Sequence, residues 1–122
     1  MSGPLQGIRI LDIATILAAP LAGTLMADFG ADVVKAEMPG AGDGLRNFPP
    51  FKDGKSIWWK AANRNKRFIT LDLRKPEGAA LLLKMLPKFD VLLENFRTGT
   101  LARWGLDTET LWKANPNLII LR

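Results

Sequence analysis

Apolar and β-branched residues gather in five short runs, separated by stretches with helical spacing or turn punctuation. Gly7-Ile8-Arg9-Ile10-Leu11-Asp12-Ile13 predicts a strand over residues 8–13. Pro20 sits where a first helical turn accepts proline, Leu21, Leu25, Met26 and Phe29 recur at helical spacing, and Gly30 suits a helix C-cap. Residues 31–37, Ala-Asp-Val-Val-Lys-Ala-Glu, predict a second strand. Two strands joined by a helix of this length form a parallel, right-handed unit. Residues 39–65 are broken by Gly40, Gly42, Gly44 and Pro49-Pro50 and read as a long loop, a length that points to function. Residues 67–73 alternate as a third strand, and Pro76-Glu77-Gly78 opens a helix through Leu82 and Met85-Leu86. Residues 90–94 predict a fourth strand, Asp107 caps a helix running into Trp112, and residues 117–122 predict a fifth strand. The unbroken run Leu118-Ile119-Ile120-Leu121 implies a strand covered on both faces, so the expected fold class is α/β, a parallel sheet with flanking helices. Ending on such a strand, the sequence is expected to be the N-terminal piece of a longer protein.

Composition narrows the chemistry by exclusion. The 122 residues suit about one domain. There is no Cys and no His, which removes thiol nucleophiles, imidazole bases and the usual zinc sites from this chain. Asp12, Pro20, Asp28 and Asp32 interrupt the best candidate for the ~20 apolar residues that cross a bilayer. The first residues lack the basic start of a signal peptide, so a cytoplasmic location and no membrane partner are expected.

The net charge of +5 is concentrated. Residues 46–75 hold nine basic and two acidic side chains, together with Trp58 and Trp59. An anion carrying an aromatic group is one natural partner for such a segment, and a solvated basic loop is the plainer reading.

Several residue groups bear on chemistry. Gly40-Ala41-Gly42-Asp43-Gly44 follows a strand, but its third glycine comes one position too early for a dinucleotide fingerprint, so it reads as a turn. Asp12, at the carboxyl end of the first strand, lies where open α/β sheets place ligands, yet alone it reads as a turn or cap residue. Trp104 and Trp112 are expected to fill core or interface volume. Ala62-Asn63-Arg64-Asn65-Lys66-Arg67 combines three cations with two carboxamides, a set suited to phosphate. Glu94-Asn95-Phe96-Arg97 offers a second cation and an aromatic face. With the third and fourth predicted strands as neighbours, both clusters would face one crevice.

The whole chain resembles the N-terminal part of the class III CoA-transferases, the family of formyl-CoA transferase and carnitine CoA-transferase. Five blocks carry the resemblance: Pro4-Leu5-x-Gly7-Ile8-Arg9-Ile10-Leu11-Asp12, Ala27–Glu37, Asn63–Arg67, Leu71–Gly78 and Asp90–Arg97. The resemblance implies that residues 1–122 are part of a CoA-binding α/β large domain, with the small domain and the nucleophilic Asp region lying beyond. It implies an interlocked homodimer and a reaction that moves CoA from an acyl-CoA to a small carboxylic acid. The Asp attacks the thioester to give an acyl anhydride and then an enzyme–CoA thioester, with no metal. None of the aspartates here aligns with that nucleophile, so the chain alone is expected to hold no catalytic residue. Coenzyme A contact is implied for Leu17 and Ala18 at the acyl and pantetheine end, for Leu71, Asp72, Leu73 and Arg74 along the cofactor, for Asn95, Phe96 and Arg97 as a second wall, and for Arg103 as a further cation.

Two departures from the family pattern stand out. Met38 occupies a position where the family often has Arg near the nucleotide end. Leu17 stands where formyl-CoA transferase has Gln, which argues against oxalate as the acid. An acyl-CoA racemase shares the same wall and is the alternative within the family. Outside it, a basic nucleic-acid module lacks any recognisable binding pattern, and a non-catalytic structural fragment is a third reading.

Overall fold

The computed structural model describes residues 2–122. Strands β1 (Arg9–Asp12) and β2 (Asp32–Glu37) flank helix α1 (Ala18–Asp28). A short hairpin, β3 (Phe51–Lys52) and β4 (Lys55–Ser56), leads into α2 (Ile57–Ala62) and β5 (Lys66–Thr70). Helix α3 (Pro76–Met85) and β6 (Val91–Leu93) come next, followed by α4 (Thr100–Arg103), α5 (Thr108–Ala114) and β7 (Ile119–Leu121). The main sheet is wholly parallel in the order β5-β2-β1-β6-β7. This is the α/β class read from the sequence.

Strand alternation divides the core between the two faces. Ile10, Val33 and Leu93 pack with Ala27 of α1, whereas Leu11, Val34 and Leu92 pack with Leu82 of α3 and Leu111 of α5. Helix α1 lies on the sheet through its small residues, Pro20, Gly23, Thr24 and Ala27. A Cβ at Gly23 would come within 3.0 Å of Leu93 Cδ1, so glycine permits the close approach. Met26 packs beside these small residues, but Leu21, Leu25 (48% exposed) and the C-cap residue Phe29 (55% exposed) point outward. The spacing of Leu21, Leu25 and Phe29 therefore locates the helix but marks its outer face.

The expected loop over 39–65 is largely structured. Asp43 caps a 3-10 turn over Gly44–Asn47 by accepting the Leu45 N–H, and Ser56 caps α2 by accepting the Trp59 N–H. The short helix α4 has no counterpart among the predicted elements. Trp104 packs edge-on against Phe96 at 5.2 Å between centroids, and Trp112 is half exposed with its Nε1 donating to the Leu118 carbonyl.

The neighbour relation expected for the third and fourth predicted strands does not occur. They are β5 and β6, and both β2 and β1 lie between them. β2 already occupies one side of β1, so the chain returns after α3 to pair with the free side. The Asn63–Arg67 cluster consequently sits at the amino end of β5, while Glu94–Arg97 leaves the carboxyl end of β6. Strand order reverses between β1 and β6, the point where open α/β sheets bind ligands beyond their carboxyl ends.

Candidate functional site

Residues leaving β1, β2, β5 and β6 meet at that carboxyl edge. A cavity of about 90 Å³ is lined there by Ile13, Ala14 and Thr15, by Glu37, Met38 and Asp43, and by Leu71–Arg74, Phe96 and Trp104. Five of the sequence-derived candidates, Leu71, Asp72, Leu73, Arg74 and Phe96, are brought together in this one wall. Asn95, Phe96 and Arg97 also line a neighbouring cavity of about 350 Å³ between the β6 exit, α4 and Arg122. Leu17 and Ala18 lie outside both linings: Leu17 is the N-cap of α1 and packs on Leu45, Trp59 and Ala62, and Ala18 is the exposed first residue of α1. Arg103, at the end of α4, donates to Thr100 Oγ1 and lines neither cavity.

The polar candidates are already partnered. Arg74 Nε and Nη2 each donate to Asp72 at 2.9 Å, and those bonds hold the Asp72 carboxyl well below the usual carboxylate range, at about 2. The Asn95 side chain clamps Thr15, accepting its N–H at 2.8 Å and donating to its carbonyl at 2.8 Å. In the basic cluster, Arg64 pairs with Asp28, Arg67 chelates Asp32, and Asn65 also donates to Asp28. Lys66 Nζ is buried among Asp12 Oδ2 (2.9 Å), the Pro20 carbonyl and Asn63 Oδ1. Burial pushes the Lys66 amine down, and the attraction of Asp12 only partly restores it. The cluster read as a phosphate site thus staples β5 to the first strand–helix–strand unit. Among the described residues, Lys52, Lys55, Lys60 and Lys75 of the basic stretch make no ion pair.

Beneath the cavity lies a charge network that residue-by-residue reading missed. Asp12 and Lys35 are paired across β1 and β2 and are both fully buried. Lys35 Nζ donates to the Ala14 carbonyl at 2.7 Å, approaches Asp43 Oδ2 at 3.1 Å and lies 3.7 Å from Asp12 Oδ2. Glu37 accepts the Asp43 N–H and chelates Arg46, whose guanidinium stacks 3.9 Å from the Trp59 ring centre. The available signal was Lys35 itself, a lone cation set between Val34 and Ala36 in the middle of β2.

Burial pushes the Glu37 carboxyl up, but the Arg46 and Asp43 hydrogen bonds and the nearby cations together carry it below its ordinary value. Its stabilising effect is therefore complete above the ordinary glutamate pKa and is lost as pH falls through the lower folded value. We expect the stability gap between wild type and Glu37→Gln to be large at pH 7 and to close below about pH 4. Urea midpoints across that range check this, and a constant gap would refute it.

The description "CoA-transferase family III" matches residues 5–122. The chain belongs to CoA-transferase family III. It is 48% identical over 120 residues to a succinyl-CoA–D-citramalate CoA-transferase of Chloroflexus aurantiacus, covering 98% of this chain and 30% of that protein. It is 46% identical over 123 residues to a succinate–glutarate CoA-transferase of Agrobacterium fabrum, covering 95% of this chain and 31% of the relative. A CAIB/BAIF family protein from Brucella suis superposes with a TM-score of 0.89 at 40% identity, over 98% of this chain and 33% of that one. The chain thus spans about a third of these family members' length.

Proposed function

We propose that this chain forms the N-terminal coenzyme A wall of an enzyme that transfers CoA from an acyl-CoA to a carboxylic acid. The observation that carries the reading is the convergence of Leu71–Arg74 and Phe96 on one cavity at the switch point, within a chain matched to the family over residues 5–122. Leu71, Leu73 and Phe96 offer the apolar surface a pantetheine arm needs, and Arg74 is the cation beside it for a phosphate. At about 90 Å³ the cavity is well below the roughly 300 Å³ of a complete small-molecule site, in keeping with a wall that other parts of the protein complete.

The nucleophile in this reading is an aspartate outside the present sequence. Its carboxylate attacks the thioester carbonyl, the carbon–sulfur bond breaks and an acyl anhydride forms. The released thiolate attacks the enzyme's side of that anhydride, giving an enzyme–CoA thioester and freeing the donor acid. The acceptor carboxylate then attacks the enzyme–CoA thioester, releasing CoA thiolate and forming a second anhydride, and the thiolate attacks the acceptor's carbonyl to give the new acyl-CoA and free the aspartate. Relatives named for succinate, citramalate and glutarate favour a four- or five-carbon dicarboxylic acid as acceptor. Oxalate-named relatives also match. The working form is an interlocked homodimer. Pairing of five of the nine cations in residues 46–75 within the chain weakens a nucleic-acid reading of that stretch.

In the intact protein, Arg74→Ala is expected to weaken CoA binding about tenfold or more, the effect of losing a charged hydrogen bond, and to leave pantetheine binding unchanged. Calorimetric titration with both ligands checks this. Equal losses for the two, or none for CoA, would reject Arg74 as a phosphate contact.

A further inference from the structure

The segment Ala14–Leu17 runs along the switch crevice from the end of β1 to the start of α1, and side chains from four places hold its backbone. Asp12 Oδ1 accepts the Ala14 N–H at 3.0 Å, and Lys35 Nζ donates to the Ala14 carbonyl. Asn95 clamps both backbone groups of Thr15. The carboxylate of Asp43 accepts the Ile16 N–H at 3.0 and 3.2 Å. Ile16 has φ 65°, a left-handed conformation that a β-branched residue rarely adopts. Such a conformation persists only where its surroundings over-determine it.

Asp43 is the group that does so. Its carboxylate is almost wholly buried, and Oδ1 also accepts the Leu45 N–H at 2.9 Å while Oδ2 faces Lys35. Its own N–H donates to Glu37 at 2.8 Å. One residue therefore joins the turn after β1 to the turn after β2, and both turns line the cavity.

We propose that Asp43 is a positioning residue for the coenzyme A wall: it holds Ile16 in the left-handed conformation and so keeps Ala14–Leu17 preformed along the switch crevice. The proposal rests on the coenzyme A reading above. Asp43 acts through the backbone of its neighbour, and a preformed wall spares the ligand the cost of ordering it.

The rival role is simple counter-charge to Lys35, and two substitutions separate them. Asp43→Asn keeps an oxygen at the Oδ1 position for the Ile16 and Leu45 N–H groups but removes the charge facing Lys35. Ile16→Gly removes the conformational penalty at position 16 without restoring any charge. The test uses the intact protein, with peptide-resolved hydrogen exchange over residues 13–17 and calorimetric titration with CoA. Asp43→Ala is expected to speed exchange in that peptide and weaken CoA binding about tenfold or more. Asp43→Asn should stay within about threefold of wild type, and adding Ile16→Gly to Asp43→Ala should recover most of the loss. Asn as harmful as Ala, with no recovery from Gly, would overturn the proposal, as would lost protection of residues 13–17 with unchanged CoA affinity. If Asp43→Ala does not fold, Asp43→Asn decides alone: retained protection and affinity support the anchor, and loss of both refutes it. If the wild type binds no CoA, the functional reading falls, and exchange of residues 13–17 in the same variants still judges the anchor.

Discussion

Lys35→Met is expected to destabilise the protein by about 3–5 kcal/mol, the usual cost of removing one partner from a buried ion pair. Lys35 is 0% exposed, and its ammonium lies between two carboxylates that are themselves buried. Methionine fills much of the same volume, so cavity formation contributes little to the loss. What remains is electrostatic. Asp43 keeps only backbone donors, Asp12 keeps Lys66 and the Ala14 N–H, and the Ala14 carbonyl loses its donor. A urea titration of the intact protein should show a lower midpoint with an unchanged slope. Adding Asp43→Asn restores charge balance, so the double variant should recover at least about 1 kcal/mol relative to the sum of the singles. A single-variant loss under about 1 kcal/mol would mean that the network contributes little to stability.

The same network explains which parts of the molecule were legible in sequence. Strand positions followed from β-branched runs such as Ile8–Ile13 and Val33-Val34, because local periodicity and burial agree there. The family resemblance led us to expect site walls at the exits of β5 and β6, and the cavity at the switch point gathers Leu71–Arg74 with Phe96. The basic cluster misled because a list of cations does not show where the carboxylates fall. Asp28, Asp32 and Asp12 precede their partners Arg64, Arg67 and Lys66 by 35 residues or more in sequence, and only the fold brings them together. Helix α1 misled in the opposite way. Its large residues form a tidy stripe, yet the sheet accepts its small face, since Gly23 must pass close to Leu93 and Asp12. Asp43 was hidden inside a glycine-rich run that reads as a turn, and its importance comes from Ile16, which is 27 residues away.

Gly78→Ala should reverse the sign that helix propensity alone would give. Alanine within a helix normally gains about 1 kcal/mol over glycine, and Gly78 does not adopt a left-handed backbone that would penalise the change. The obstacle is steric. A Cβ at this position would overlap the carbonyl oxygen and carbon of Asp72, and those are backbone atoms with no rotamer to yield. The Asp72 carbonyl also accepts the Lys75 N–H at 3.2 Å, which fixes the turn leading into α3. Either α3 must lift from the sheet, loosening Ala79 and Leu82 in the core, or the Leu71–Arg74 turn must shift. Overpacking of this kind outweighs the propensity gain, and we expect a net loss of about 3 kcal/mol. Because the displaced turn is also the proposed coenzyme A wall, CoA affinity should fall together with thermal stability. Differential scanning calorimetry with and without CoA measures both effects on one sample. A raised midpoint would show that the turn yields freely. A lowered midpoint with an undiminished CoA-induced rise would place coenzyme A away from Leu71–Arg74.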